Sequence, residues 1–294
     1  MSTENKTAVV TGSTGGLGQE VCERLAQQGW GLVLVNRNHE KGEAQAEAFR
    51  KSSPGQAYRC YTANLLDPQQ VVDVSREIAD DHPALSALYN VAGLLTDRPT
   101  QSARGVEGHF VVNTLAPFLF TQGLRSSLAG GATSDRPSVV VNFSSSAVNS
   151  VKKLDFARLA DASNPGGLMG AYAQTKMALT VATAQASSEL SGEGVLAVCV
   201  DPGATKTPMT SGSDGMPWFV RLIRPLVFKS PAAQAEKLLR GVSSAVRENK
   251  PGAFIVEGRI KPMPALATDP SVQAGLRALL EELAEPYLSA APGP

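Results

Sequence analysis

Cysteines, histidines and aromatic residues are scarce in this 294-residue chain, and formal net charge is absent. The three cysteines, Cys22, Cys60 and Cys199, are an odd set without CxxC spacing, each inside an apolar periodic stretch. That excludes a disulfide framework or zinc ribbon, predicts small core side chains and points to a reducing compartment. His39, His82 and His109 are scattered without ligand spacing, so no metal site is expected. Lys plus Arg total 27 and Asp plus Glu total 27, a balance that argues against a dedicated nucleic-acid binder. No window reaches the roughly 18 uninterrupted apolar residues that a membrane-spanning helix needs. The amino terminus has no basic segment leading into an apolar one, because Lys6 is followed almost at once by the strand-like run Thr7 to Thr11. The expectation is a cytoplasmic protein with no signal peptide and no transmembrane segment.

What the chain does contain is alternation. Continuous apolar runs of strand length occur at Thr7 to Thr11, Leu32 to Asn36, Ala57 to Thr62, Leu85 to Asn90, Ser138 to Ser144, Val195 to Val200 and Ala253 to Glu257. Stretches of helical period separate them: Leu17 to Gln28, His39 to Lys51, Pro68 to Asp81, Gly105 to Ala129 and Met169 to Ser191. Unbroken rather than alternating apolar strands predict a parallel sheet covered by helices on both faces. Local punctuation agrees. Asp67 before Pro68 and Ser230 before Pro231 read as N-caps with proline in the first helical turn, and Gly29 stands where a left-handed helix end is wanted. A last helix is expected over Asp269 to Tyr287, and the tail Ser289 to Pro294 reads as disordered.

Three groups of residues carry chemistry. Thr11-Gly12-Ser13-Thr14-Gly15-Gly16-Leu17-Gly18 lies between the first strand and the first helix. Glycines there allow a tight turn, and amides at the helix N-terminus can hold a diphosphate. At the end of the second strand, Asn36-Arg37-Asn38 offers a guanidinium where an acidic residue would accept from a ribose 2′-hydroxyl. A guanidinium suits a 2′-phosphate, which favours NADP over NAD. Tyr172 and Lys176 lie four apart on one helical face, so an ammonium sits near a phenol and, with a positively charged oxidised nicotinamide nearby, is expected to lower its pKa.

Together these residues resemble the short-chain dehydrogenase/reductase family along nearly the whole chain. The glycine motif TGxxxGxG matches Thr11 to Gly18, and the family's N-N-A-G appears as Asn90-Val91-Ala92-Gly93. The family's helix asparagine matches Asn113, its catalytic serine lies in Asn142-Phe143-Ser144-Ser145-Ser146, and its YxxxK is Tyr172 to Lys176. PGxxxT follows the sixth strand as Pro202-Gly203-Ala204-Thr205-Lys206-Thr207.

The resemblance implies a single Rossmann domain over residues 1–294 with about seven parallel strands, and NADP(H)-dependent interconversion of a carbonyl and an alcohol. Tyr172 would be the general acid in reduction, Lys176 would lower its pKa and bind ribose hydroxyls, Ser145 would hold the substrate oxygen, and Asn113 would hold a relay water. The implied cofactor set is Gly12, Ser13, Thr14, Gly16, Leu17, Gly18, Arg37, Asn38, Asn64, Leu65, Asn90, Ala92, Gly93, Tyr172, Lys176, Pro202, Gly203, Thr205 and Thr207. A homodimer or homotetramer through the helices Gly105 to Ala129 and Met169 to Ser191 is implied in the same way. Residues 262–294 form an extra carboxy-terminal extension, whose segment Asp269 to Tyr287 could cover the site or block one of these interfaces, leaving a monomer.

Departures from the family pattern refine this reading. Asn64 stands where members usually carry aspartate, and Val91 replaces the second asparagine. Ser145 precedes Tyr172 by 27 positions, about twice the separation in many members, so an insertion spans roughly 149–167. The serine is aligned as Ser145, with Ser144 and Ser146 as alternatives. This spacing looks like the retinol dehydrogenase-like and WW-domain oxidoreductase-like branch, which handles lipophilic carbonyls. Residues 208–229 read as a substrate lid, with Trp218 and Phe219 as substrate contacts. Lys152 and Lys153 read as a solvated loop pair. A second reading is a cofactor-binding regulatory or interaction protein without turnover; the intact Tyr172, Lys176, Ser145 and Asn113 favour the enzyme.

Overall fold

The computed structural model describes residues 6–163, 168–205 and 229–289. Eight strands form one sheet: β1 (Thr7–Thr11), β2 (Gly31–Asn36), β3 (Tyr58–Thr62), β4 (Ala87–Asn90), β5 (Ser138–Phe143), β6 (Val195–Asp201), β7 (Phe254–Val256) and β8 (Arg259–Lys261). Their spatial order is β3-β2-β1-β4-β5-β6-β7-β8. The seven expected strands are all present and parallel, while β8 runs antiparallel to β7. The hairpin between them turns through Glu257 (φ 48°) and Gly258 (φ 84°), the paired positive φ values of a tight two-residue connection. Three residues with little apolar content gave this edge strand no signal in the sequence.

Successive side chains of a strand point to opposite faces, and here both faces are buried. Val9, Val33 and Val140 pack with α3 (Pro68–Asp81), α5 (Ala116–Gly123) and α8 (Leu168–Leu190). Ala8, Val10, Leu32 and Leu34 pack with α1 (Gly16–Gln27), α2 (His39–Ser52) and α9 (Pro231–Arg247). The order in which strands are added reverses at β1 and β4, which lie side by side and parallel. A crevice therefore opens at the carboxyl ends of these strands, where a doubly wound fold places its ligand.

The caps form as expected. Asp67 accepts from Gln69 N and Ser230 from Ala233 N, Asp269 accepts from both Ser271 N and Val272 N, and Gly29 has φ 78°. The helix expected over Gly105 to Ala129 is corrected. It begins with α4 (Gly108–Phe110), widens into a π-turn at Val111–Leu115, continues as α5 and, past Leu124, ends as α6 (Arg125–Gly131). Gly105, with φ 78°, belongs to the preceding loop, and Pro117 in the first turn of α5 supplies no amide to the turn before it.

The described part of the insertion is a 3-10 turn at Ser146–Ser150 and the short α7 (Phe156–Leu159), tied back by pairing of Asp161 with Val106. Lys152 and Lys153 are exposed there. The carboxy-terminal α10 (Pro270–Leu288) buries Leu276, Leu280 and Ala284 against α8 and α3, one residue beyond Tyr287 being the only change from the expected end. Residues 290–294 of the expected tail lie outside the described residues, as do Thr207, Trp218, Phe219 and all of the expected lid except Lys229. Of the cysteines, Cys22 and Cys199 are core residues, whereas Cys60 is only half-buried, on the outermost parallel strand beside Gly42.

Candidate active site

The turn between β1 and α1 is shaped by close approach. Gly12 has φ 67°, and a Cβ there would stand 3.0 Å from Ala92 Cα; a Cβ on Gly18 would run into the Gly12 carbonyl. Gly15 caps α1 without any side-chain acceptor, and the first turn, Gly16 to Gly18, holds no acidic residue. First-turn amides have no intrahelical partner, so this is a place where an anion is favoured. The arrangement fits the diphosphate of a dinucleotide: narrow, backbone-lined and unopposed by carboxylate.

Ser13 and Thr14 take their places through residues the sequence did not single out. Ser13 is fully buried; its hydroxyl donates to Gln45 Oε1 at 2.6 Å and accepts from Asn36 Nδ2 at 2.8 Å. Asn36 Oδ1 accepts from both Thr14 N and Thr14 Oγ1, at 3.1 and 3.2 Å. The Ser13 side chain thus shapes the turn from beneath. Next along β2, Arg37 is exposed and makes no ion pair among the described residues, and Asn38 caps α2 by accepting from Lys41 N at 2.8 Å.

Asn64 folds its amide oxygen onto Leu66 N at 3.2 Å, and Leu65 is half-buried beside it. Asn90 is buried at the end of β4, where it donates to Asn142 Oδ1 at 2.8 Å; its own Oδ1 has no partner among the described residues. Ala92 N donates to Thr11 Oγ1 at 3.2 Å, which holds the Ala92-Gly93 segment against the glycine turn.

The candidate proton-transfer residues converge where β5 ends against α8. Tyr172 is half-buried, and its phenol lies near enough to the Ser145 side chain to be influenced by it. Burial pushes the phenol above its ordinary value, Ser145 opposes that rise, and Asp201 adds to it. Lys176 is buried; its Nζ donates to the Phe143 carbonyl at 2.7 Å and stands 5.9 Å from the centroid of the Tyr172 ring. Burial brings the ammonium down to about 8. The expected lowering of the tyrosine by this lysine is therefore not a property of the protein alone. The Lys176 ammonium is directed at a carbonyl rather than at the phenol, and desolvation dominates both groups.

The structure also separates the three serines. Ser144 is buried under α8, sharing a hydrogen bond of 2.8 Å with Thr180 Oγ1, and Ser146 is exposed. Of the three, it is Ser145 that acts on the Tyr172 phenol. Asn113 sits in the π-turn, an irregularity that recurs at functional sites. Its Oδ1 accepts Leu94 N–H at 2.7 Å, and its Nδ2 donates to Leu94 O at 3.0 Å and to Thr175 Oγ1 at 3.2 Å.

Beyond β6, Asp201 is buried and accepts from Gly203 N at 2.8 Å, bracing Pro202 and Gly203. Gln234 of α9 donates to the Pro202 carbonyl, and Thr205 donates to Gly203 O at 3.0 Å. Thr205 also pairs with Lys229, whose ammonium bonds both carboxylate oxygens of Glu257 at 2.6 and 2.7 Å. Asp201, Gln234, Thr175 and Asn142 are residues the sequence reading missed. Only Asp201, directly before Pro202-Gly203, carried a local signal; the others act across distances that no pattern records. Among the described residues no cluster of His, Cys, Asp or Glu is suited to a metal, and no helix is long and apolar enough to cross a membrane.

An open doubly wound sheet, an uncapped glycine turn at the strand ends and a Tyr–Ser–Lys cluster beside it define an oxidoreductase of the Rossmann class. The short chain dehydrogenase family profile matches residues 6–216, and the chain belongs to that family. Within it the chain falls in the retinol dehydrogenase-like branch. Retinol dehydrogenase 13 of Homo sapiens is 28% identical over 236 residues, 79% of this chain and 70% of that protein. Retinol dehydrogenase 11 of Homo sapiens is 31% identical over 214 residues, 72% of this chain and 65% of that protein. Among solved structures, a short-chain dehydrogenase from Sphingobium yanoikuyae in complex with NADPH has the same fold. Its TM-score is 0.66 at 22% identity, over 94% of this chain and 95% of that one.

Proposed function

We propose that the protein is an NADP(H)-dependent oxidoreductase that interconverts an aldehyde or ketone and the corresponding alcohol on a fairly apolar small molecule. The observation that carries the reading is the convergence of Tyr172, Ser145 and buried Lys176 where β5 meets α8, in a fold whose glycine turn leaves the N-terminus of α1 without a side-chain cap. The titles of solved relatives with NADPH or NADP bound, and the retinol dehydrogenases among the sequence relatives, support the cofactor and the apolar substrate class.

A bound nicotinamide would exchange hydride with the substrate carbon. The first-turn amides of α1, Gly16 to Gly18, with Gly12, would hold the diphosphate, and exposed Arg37 would take the 2′-phosphate beside Asn38. Asn64 and Leu65 would flank the adenine, while Asn90, Ala92 and Gly93 would line the crevice floor. Pro202, Gly203, Thr205 and, outside the described residues, Thr207 would frame the carboxamide end. Lys176 has ammonium protons left beyond its bond to Phe143 O, and these would meet ribose hydroxyls.

In reduction the Tyr172 phenol gives its proton to the carbonyl oxygen. The raised pKa keeps that proton in place at neutral pH. Ser145 hydrogen-bonds the same oxygen as it gains charge, where a fixed donor contributes most. Asn113 keeps Leu94 and Thr175 in register around the pair. Trp218 and Phe219 would contact the substrate, in the cytoplasmic setting expected from the cysteine usage.

The test is titration with NADPH and NADH, followed by a panel of apolar aldehydes and ketones monitored by cofactor absorbance. Tyr172→Phe should retain NADPH binding and lose turnover. Full activity in Tyr172→Phe overturns the mechanism, and NADPH binding without turnover on any carbonyl returns the regulatory reading.

A further inference from the structure

The loop leaving β4 is held by one helix at three places. Asn113 binds Leu94 through both polar atoms of its amide. Four residues earlier, on the same helical face, His109 Nε2 accepts the Thr96 N–H at 3.2 Å. Gly108 N donates to Thr100 O at 2.8 Å, and a Cβ on Gly108 would stand 2.8 Å from that oxygen.

His109 is oriented in turn by Glu107. Its Nδ1 meets Glu107 Oε1 at 2.7 Å, while Glu107 Oε2 accepts Phe110 N at 2.8 Å. Both side chains are 5% exposed. A backbone N–H only donates, so Nε2 must carry a lone pair and Nδ1 the proton; the Glu107 carboxylate selects that tautomer. Among the described residues neither side chain hydrogen-bonds Tyr172, Ser145 or Lys176, although Glu107 lines a cavity with Gln174 and Thr175 of α8. Glu107 N also donates to Ala160 O at 3.1 Å, while the His109 side chain reaches the loop whose other anchor is Asn113.

We propose that Glu107 and His109 are a positioning pair, which fixes the loop after β4 at Thr96 so that Leu94 stays seated on Asn113. As a statement about turnover this rests on the proposed oxidoreductase reading. As a statement about the loop it does not. Asn113 can keep its second donor on Thr175, the neighbour of Lys176, only while Leu94 holds the rest of the amide.

Two variants separate the two bonds of His109. His109→Gln places a carbonyl oxygen near the former Nε2 and can still accept Thr96 N–H. His109→Asn places an amide near the former Nδ1, so it keeps Glu107 and cannot reach Thr96. Each is read by hydrogen exchange at the Thr96 and Leu94 amides and by kcat and KM on a reactive carbonyl. The expected result for His109→Asn is loss of protection at Thr96 and a fall in kcat of roughly tenfold, short of the ~100-fold that a 1 Å misplacement can cause. KM for NADPH should not move. His109→Gln should retain protection and kcat within about twofold of the unaltered chain. Equal kcat in the two variants, or undiminished Thr96 protection in His109→Asn, overturns the proposal. A lowered Tm with unchanged kcat also overturns it, leaving a structural role only. If no carbonyl is turned over by the unaltered chain, the oxidoreductase reading fails while amide exchange still decides the pairing.

Discussion

Asn113 grips Leu94 by both atoms of its amide, accepting the Leu94 N–H and donating to the Leu94 carbonyl. The bond is long-range in function though short in sequence, because it joins the widened turn of a helix to the loop beside the glycine crevice. Asn113→Ala leaves the Leu94 amide and carbonyl without their partners, at a cost of about 1–3 kcal/mol for a buried polar group. Thermal unfolding should show that loss. Steady-state rates should fall with it, and Asn113→Asp should not restore them, since a carboxylate has no N–H for Leu94 O or Thr175.

The three serines of Ser144-Ser145-Ser146 should separate cleanly. Ser145→Ala removes the hydroxyl that acts on the Tyr172 phenol and should lower kcat by about 100-fold, the scale for losing one donor to a developing oxyanion. Ser144→Ala should lower Tm, because Thr180 Oγ1 loses one of its two partners and keeps only the Lys176 carbonyl, and leave kcat near its original value. Ser146→Ala should change neither. Parallel melting curves and rate measurements decide all three.

Lys176 links pH to stability. Its pKa in the folded chain is about 8, below the unfolded value, so between the two the unfolded chain binds more protons. Stability should therefore rise as pH increases from about 8 towards the ordinary lysine range near 10.4. Lys176→Met should raise the Tm of the cofactor-free protein at pH 7 by the equivalent of ~1–3 kcal/mol. That difference should shrink at high pH. The same variant should lose turnover. An unchanged Tm difference between pH 7 and pH 10 would refute the burial argument.

Arg37 should decide cofactor choice. It stands exposed at the end of β2 without an ion-pair partner among the described residues. Arg37→Ala should weaken NADPH by on the order of tenfold and leave NADH nearly unchanged, because only NADPH carries the phosphate that a guanidinium forks onto. Equal losses for both cofactors would remove Arg37 from the 2′-phosphate.

Much of the fold was legible in the chain because it is encoded locally. Asp67-Pro68, Ser230-Pro231 and Asp269-Pro270 announce helix starts, each by an acceptor next to a residue without an N–H, and each start forms where it was read. Continuous apolar strands reported a sheet buried on both faces. The helix expected over Gly105 to Ala129 was misread because apolar periodicity persists through a π-turn and a break at Leu124, where packing against α8 and α3 overrides the local pattern. β8 escaped because an edge strand needs only backbone pairing, which leaves no hydrophobic signature.

The sequence by itself determined the class of fold, the place of the glycine turn and the four-residue spacing that puts Tyr172 and Lys176 on one face of α8. Each is a short-range property of neighbouring residues. What the assembled interior adds is that Ser145 lies beside the phenol while Ser144 is buried and Ser146 exposed, that Lys176 is desolvated against Phe143, and that His109, paired with Glu107, accepts from Thr96. Those facts depend on burial and on hydrogen bonds between segments that adjoin only once the sheet has formed. Desolvation and directional contact are properties of the assembled interior, and no local pattern encodes them.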